Sequence, residues 1–126
     1  MQYLTDRKRT TGLGSAKDGT EHLWQTKVTS VALVILTPLF IFMFGAHLGK
    51  DHATVMAVYS NPVIAIIAIL MILVSFYHLK LGLQLVIEDY VHAPVWRTAA
   101  MLGNIFLCYA AMAAGTFAIA KIAFGA

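Results

Sequence analysis

Three long stretches without a single Asp, Glu, Lys or Arg constrain this chain more than any other feature. They cover residues 28–49, 53–79 and 98–120. A helix needs about 20 residues to cross the hydrocarbon core of a bilayer, and each stretch is long enough. In lipid every backbone N–H and C=O must be paired within the protein, which leaves helices or a closed barrel. The apolar runs do not alternate strictly with polar residues, and 126 residues is too short a chain for a closed barrel. The expected fold class is therefore an all-α integral membrane protein with three transmembrane helices. Composition agrees. Hydrophobic residues make up 60% and charged residues 12% of the chain, about half the charge of an ordinary soluble domain. A chain this small has too little interior to hide that much apolar surface from water. A free-standing soluble enzyme is excluded.

The spans are expected at about residues 27–49, 60–89 and 95–121, after a polar N-terminal segment of residues 1–24, with the membrane unit covering residues 25–122. Asn61-Pro62 suits a helix start, because proline is tolerated in the first turn, and Pro94 can open the third span in the same way. Pro38 lies inside the first span, where a kink is expected. Lys80 interrupts the second run, but residues 81–87 continue it, so this helix should reach about Asp89.

The net charge of +3 is distributed unevenly. Arg7, Lys8, Arg9, Lys17 and Lys27 precede or open the first span. Arg97 lies on the same side of a three-span protein, whereas only Lys50 and Lys121 lie opposite. The positive-inside rule puts the N-terminus in the cytoplasm. This pattern reads as membrane orientation, not nucleic-acid binding. The N-terminal segment lacks the apolar core of a secretory signal, and Asp6, Asp18 and Glu21 argue against an acid-poor mitochondrial transit peptide. A bacterial inner membrane fits better than a mitochondrial one. The only cysteine is Cys108, which excludes a disulfide framework and a cysteine-ligated iron–sulfur cluster in this chain.

The chemistry-bearing residues lie on the second span. His78 is deep within it, where ionisable groups are rare and usually functional. It can hydrogen-bond a neighbouring helix or ligate a metal or haem. Ser75, His78, Gly82, Leu85 and Asp89 are spaced 3, 4, 3 and 4 apart, so they follow one side of a helix. Gly82, one turn beyond His78, leaves room for a flat ring, or else for close helix packing. Asp89 falls beneath His78, about 16 Å further along the axis. Glu88, Asp89, Tyr90 and His92 group acid, phenol and imidazole at the inner surface. They can be solvated loop acids and interfacial belt residues, or a proton-handling cluster. His22, His47, His52 and His92 all lie at span ends or outside the spans. A second histidine ligand to a haem at His78 would therefore come from another chain. No nucleotide-binding glycine fingerprint is present, so a flavin would also sit elsewhere.

Residues 75–91, SFYHLKLGLQLVIEDYV, resemble the signature of the small hydrophobic membrane-anchor subunit of succinate dehydrogenase (respiratory complex II), the cytochrome b556-type D subunit. In that signature Gly follows the His by four residues, and Asp-Tyr begins eleven residues after the His. Residues 14–24, GSAKDGTEHLW, are similar to the alphaproteobacterial and mitochondrion-related branch. The resemblance implies that His78 is an axial ligand to the iron of haem b, shared with a larger cytochrome b membrane subunit. It implies that Tyr90 hydrogen-bonds a ubiquinone carbonyl and that Asp89 belongs to the same quinone site. Lys27 falls where relatives often carry an arginine near a haem propionate, although lysine lacks the planar fork. Gln25, Thr26 and Ser30 can line that region. The implied partners are the cytochrome b subunit, an iron–sulfur subunit and a flavoprotein subunit, with flavin and iron–sulfur clusters on the latter two. The chain alone would then have no catalytic activity. A fumarate reductase anchor, and a structural membrane subunit or ion-pathway protein without haem, remain the alternative readings.

Overall fold

The computed structural model describes residues 5–12 and 19–125, and these are helical throughout apart from short connections. Part of the N-terminal stretch that carries the family resemblance, residues 14–18 with Lys17, lies outside the described residues. In chain order the helices are α1 (Asp6–Thr11), α2 (Gly19–Gly45), α3 (His52–Tyr59), α4 (Pro62–Tyr90) and α5 (Pro94–Ala123). No strand occurs among the described residues. Helices α2, α4 and α5 are long and apolar enough to cross a membrane. At 27, 29 and 30 residues they extend about 40–45 Å, more than a hydrocarbon core alone requires.

Local chemistry explains the boundaries. The Asn61 side chain accepts a hydrogen bond from the Val63 N–H at 2.9 Å, and Pro62 occupies the first turn of α4, where its missing N–H costs nothing. The helix stops at Tyr90 because Val91 turns extended, with its N–H still bonded to the Ile87 carbonyl. Three residues later Pro94 opens α5, so α4 and α5 form a tight helical hairpin. Helix α2 continues unbroken through Pro38. It begins at Gly19, several residues before the first apolar run, so its first turns carry Glu21, His22, Gln25 and Lys27. The short helix α3 is an element that the span reading did not resolve. Asp51 caps it, accepting from the Thr54 N–H and hydroxyl, and these bonds hold the Asp51 carboxyl below its ordinary pKa.

Helix α4 is the centre of the molecule. It packs against α2 on one side and α5 on the other, while α2 and α5 share no contact among the described residues. The small residues Ala65 and Ala68 are buried on α4, and Gly115 of α5 comes so near that an added Cβ would sit 3.0 Å from Ile72. Small residues at such contacts let helix backbones approach closely, which is how helices gain dispersion energy in lipid. Leu81 of α4 and Cys108 and Met112 of α5 are also buried, and the amide of Asn104 donates to the Lys80 carbonyl at 2.9 Å. The chain buries little of its own apolar surface: 6%, 11% and 11% of the most apolar windows of α2, α4 and α5. The rest must be covered by lipid or by another protein, and the chain is a multi-pass membrane protein.

Candidate functional site

The α2–α4 contact is built around polar side chains. On α4, Tyr77 and His78 reach α2 and meet Gln25 and Thr29, which stand one turn apart. The Tyr77 hydroxyl donates to Gln25 Oε1 at 2.8 Å, and His78 Nδ1 lies 2.8 Å from Thr29 Oγ1. Thr26 and Ser30 fold their hydroxyls back onto carbonyls of their own helix, at 2.9 and 2.8 Å. His78 is half-buried and lies about 18 Å along the helix from Tyr90, well inside the span. One ring nitrogen is thereby held, and no hydrogen bond among the described residues engages the other. One turn toward the helix end, Gly82 is exposed, and a Cβ built on it meets nothing within 4 Å. The surface beside the imidazole is open.

The end of α4 is different in character. Asp89 and Tyr90 are exposed, Tyr90 at 78%, and the Tyr90 hydroxyl has no partner among the described residues. Glu88 is half-buried and accepts from Gln84 Nε2 at 2.9 Å, so it is tied to its own helix. His92 folds its Nδ1 to 3.1 Å from the Tyr90 carbonyl, which draws the imidazole into the same corner. Lys27 is exposed on α2, two residues before Thr29 and so roughly 160° around the helix from it. It shares an open groove with Trp24, Thr20, Glu21 and Leu23. The structure thus joins His78 to α2, leaves Gly82 clear beside it, and presents Asp89 and Tyr90 together at the helix end. Lys27 stands apart on another face of α2.

Three features were not anticipated from sequence. Thr29, the partner of His78, is one. The second is Lys80, whose ammonium lies 4.8 Å from the centre of the Tyr77 ring and 5.7 Å from that of Tyr109. Two π-faces give this mid-membrane cation the electrostatic company that lipid cannot. The third is the buried relay Cys108 Sγ to Asn104 Oδ1, 3.4 Å, on the opposite seam from His78. A signal for Thr29 existed. Gln25, Thr26, Thr29 and Ser30 form an i, i+1, i+4, i+5 polar stripe where α2 enters its apolar run.

Among the described residues no group of three or more His, Cys, Asp or Glu side chains gathers to cage a bare metal ion.

The comparisons with known proteins agree with this architecture. The model of the succinate dehydrogenase/fumarate reductase transmembrane subunit family matches residues 1–117. The succinate dehydrogenase hydrophobic membrane anchor subunit of Paracoccus denitrificans is 36% identical over 126 residues, all of this chain and 97% of that protein. The protein of the same name from Rickettsia bellii is 31% identical over 89 residues, 71% of each chain. That of Rickettsia typhi is 27% identical over 105 residues, 83% of this chain and 84% of the relative. No solved structure matches. A three-span helical chain, matched by this family's model along nearly its whole length and by an anchor subunit along all of it, belongs to the succinate dehydrogenase/fumarate reductase transmembrane subunit family.

Proposed function

We propose that this chain anchors a succinate:quinone oxidoreductase in a bacterial inner membrane and contributes to a haem b site and a ubiquinone site. Residues 1–24 form the cytoplasmic polar segment and residues 25–122 the anchor, which packs against a larger cytochrome b subunit. Flavoprotein and iron–sulfur subunits dock at the cytoplasmic end. The observation that carries the cofactor reading is His78. It is a half-buried intramembrane imidazole with Nδ1 engaged, Nε2 without a hydrogen bond among the described residues, and clear space at Gly82 beside it. These residues fit a haem. His78 would hold the iron from one side and Gly82 would let the ring lie close to the helix, whereas Lys27 stands on another face of α2, away from a propionate of that ring. A second histidine for that iron would come from a partner chain, because His22, His47, His52 and His92 lie at span ends or outside the spans. When bound, the haem supplies a one-electron redox centre inside the membrane.

The remaining chemistry belongs to the end of α4. Ubiquinone accepts two electrons, which originate in succinate oxidation on the soluble subunits, and two protons. Tyr90 is free to donate its hydroxyl proton in a hydrogen bond to a quinone oxygen, and that bond strengthens as negative charge develops on the oxygen. Asp89 supplies an exposed carboxylate that holds and passes a proton at the membrane surface. The names of the relatives favour succinate oxidation over the reverse, fumarate-reducing direction.

The test is isolation of the native membrane complex. The chain should co-purify with three other subunits, a b-type haem spectrum and succinate:ubiquinone reductase activity. A complex free of haem would overturn the haem reading, and one unable to reduce ubiquinone would overturn the quinone reading.

A further inference from the structure

Thr29 makes more polar contacts than its one proton can serve. Its Oγ1 lies 2.9 Å from the Gln25 carbonyl, 3.0 Å from the Thr26 carbonyl and 2.8 Å from His78 Nδ1. Carbonyl oxygens only accept, so the hydroxyl proton is directed to one of them or shared between them. The shortest contact then needs its own proton, and His78 Nδ1 is the atom that can supply it. Nδ1–H donates and Thr29 Oγ1 accepts through a lone pair. This assignment leaves Nε2 as the ring nitrogen available to ligate a metal. The acceptor is held rigidly. Thr29 is β-branched and half-buried, and the carbonyls that orient its hydroxyl are part of α2 itself. Helix α2 therefore sets both the tautomer and the plane of a ring mounted on α4.

We infer that Thr29 is a positioning residue for His78, which selects the Nδ1–H tautomer and fixes the ring so that Nε2 faces the haem iron. This inference rests on the proposed haem role of His78. An acceptor on Nδ1–H pushes electron density toward Nε2 and makes it a more basic ligand. A more basic ligand stabilises ferric over ferrous iron, so the hydrogen bond lowers the haem midpoint potential.

The experiment compares Thr29→Val with Thr29→Ser in the assembled complex, by redox potentiometry and by electron paramagnetic resonance of the ferric haem. Valine keeps the branched shape and removes the acceptor, whereas serine keeps the acceptor. The expected result is a shift toward ferrous haem of up to about tenfold in Thr29→Val, bounded by the strength of one hydrogen bond because only its difference between the two oxidation states moves the potential. Tenfold corresponds to about 59 mV upward for one electron. The low-spin resonance should also change as the ring loosens, and Thr29→Ser should restore both readings. If Thr29→Val does not assemble, Thr29→Ala against Thr29→Ser makes the same comparison. An unchanged potential and resonance without the hydroxyl would overturn the inference while the haem role of His78 stands. Equal shifts in the serine and valine variants would also overturn it, because only packing would then matter. A wild-type complex without a low-spin haem carrying two histidine ligands would instead overturn the reading on which it rests.

Discussion

Tyr90→Phe isolates the chemistry of one hydroxyl. The ring of Tyr90 is 78% exposed, and its oxygen has no hydrogen-bond partner among the described residues. Removing that oxygen breaks no hydrogen bond among the described residues, so helix packing should be untouched and any loss should arise in the quinone reaction. A neutral hydrogen bond contributes about 0.5–1.5 kcal/mol, which corresponds to roughly 2- to 13-fold in rate. If the quinone oxygen carries substantial negative charge in the transition state, the contribution rises toward about 3 kcal/mol, roughly a hundredfold. The assay measures succinate:ubiquinone reductase activity beside succinate oxidation by an artificial acceptor that draws electrons upstream of the membrane. The first should fall by about 2- to 100-fold and the second should hold. Unchanged quinone kinetics would remove Tyr90 from the site. Equal loss of both activities would refute the argument from exposure, because it would mean that the hydroxyl supports assembly.

Other expectations follow from other parts of the fold. Asn104→Leu, close in volume to the native side chain, removes the amide that bridges to the Lys80 carbonyl, and should destabilise the α4–α5 hairpin by about 0.6–1.7 kcal/mol, read from unfolding in mixed detergent micelles; an unchanged midpoint would mean that the bond contributes nothing net. Asp51 titrates below its ordinary value of 3.8 because Thr54 donates to it, so its contribution to capping α3 is complete above that value and is lost as pH falls through the lowered one. A carboxyl resonance followed by NMR should show that lowered midpoint, and a midpoint at or above the ordinary value would contradict the cap. A reporter that is active only in the cytoplasm, fused after Ala126, should stay silent, since three spans from a cytoplasmic N-terminus end outside; activity would overturn the proposed orientation.

The membrane architecture was legible because it depends on long runs that lack charge, and such runs have few physical meanings. The line from His78 through Gly82 to Asp89 was legible from helical periodicity alone, as was the start of α4 at Asn61-Pro62. Other features were hidden for specific reasons. Helix α3 is apolar and shares one charge-free run with the second span, so hydropathy alone did not show it as a helix; Asn61-Pro62 marks its far boundary, and Asp51 with Thr54 caps its start. Hydropathy also locates the lipid-facing part of a helix and not its end. Helix α2 therefore begins at Gly19, among residues that read as a polar segment. Thr29 was hidden because a threonine in a span is expected to bond back to its own helix. It does so here, and its second role appears only when α4 brings His78 across 49 positions of sequence. Lys80 looked like an interruption of an apolar run. Its shelter between Tyr77 and Tyr109 required the α4–α5 pairing to be known.

The central claim is that His78 ligates a haem iron, and substitution of that one residue tests it most directly. Ferric and dithionite-reduced spectra of the complex carrying His78→Ala would be compared with those of the native complex at equal protein concentration, together with the haem midpoint potential. The account predicts a loss of haem, or, where water or another side chain takes the vacant position, an altered spin state and a displaced potential. Full haem content with an unchanged low-spin spectrum and potential would contradict it.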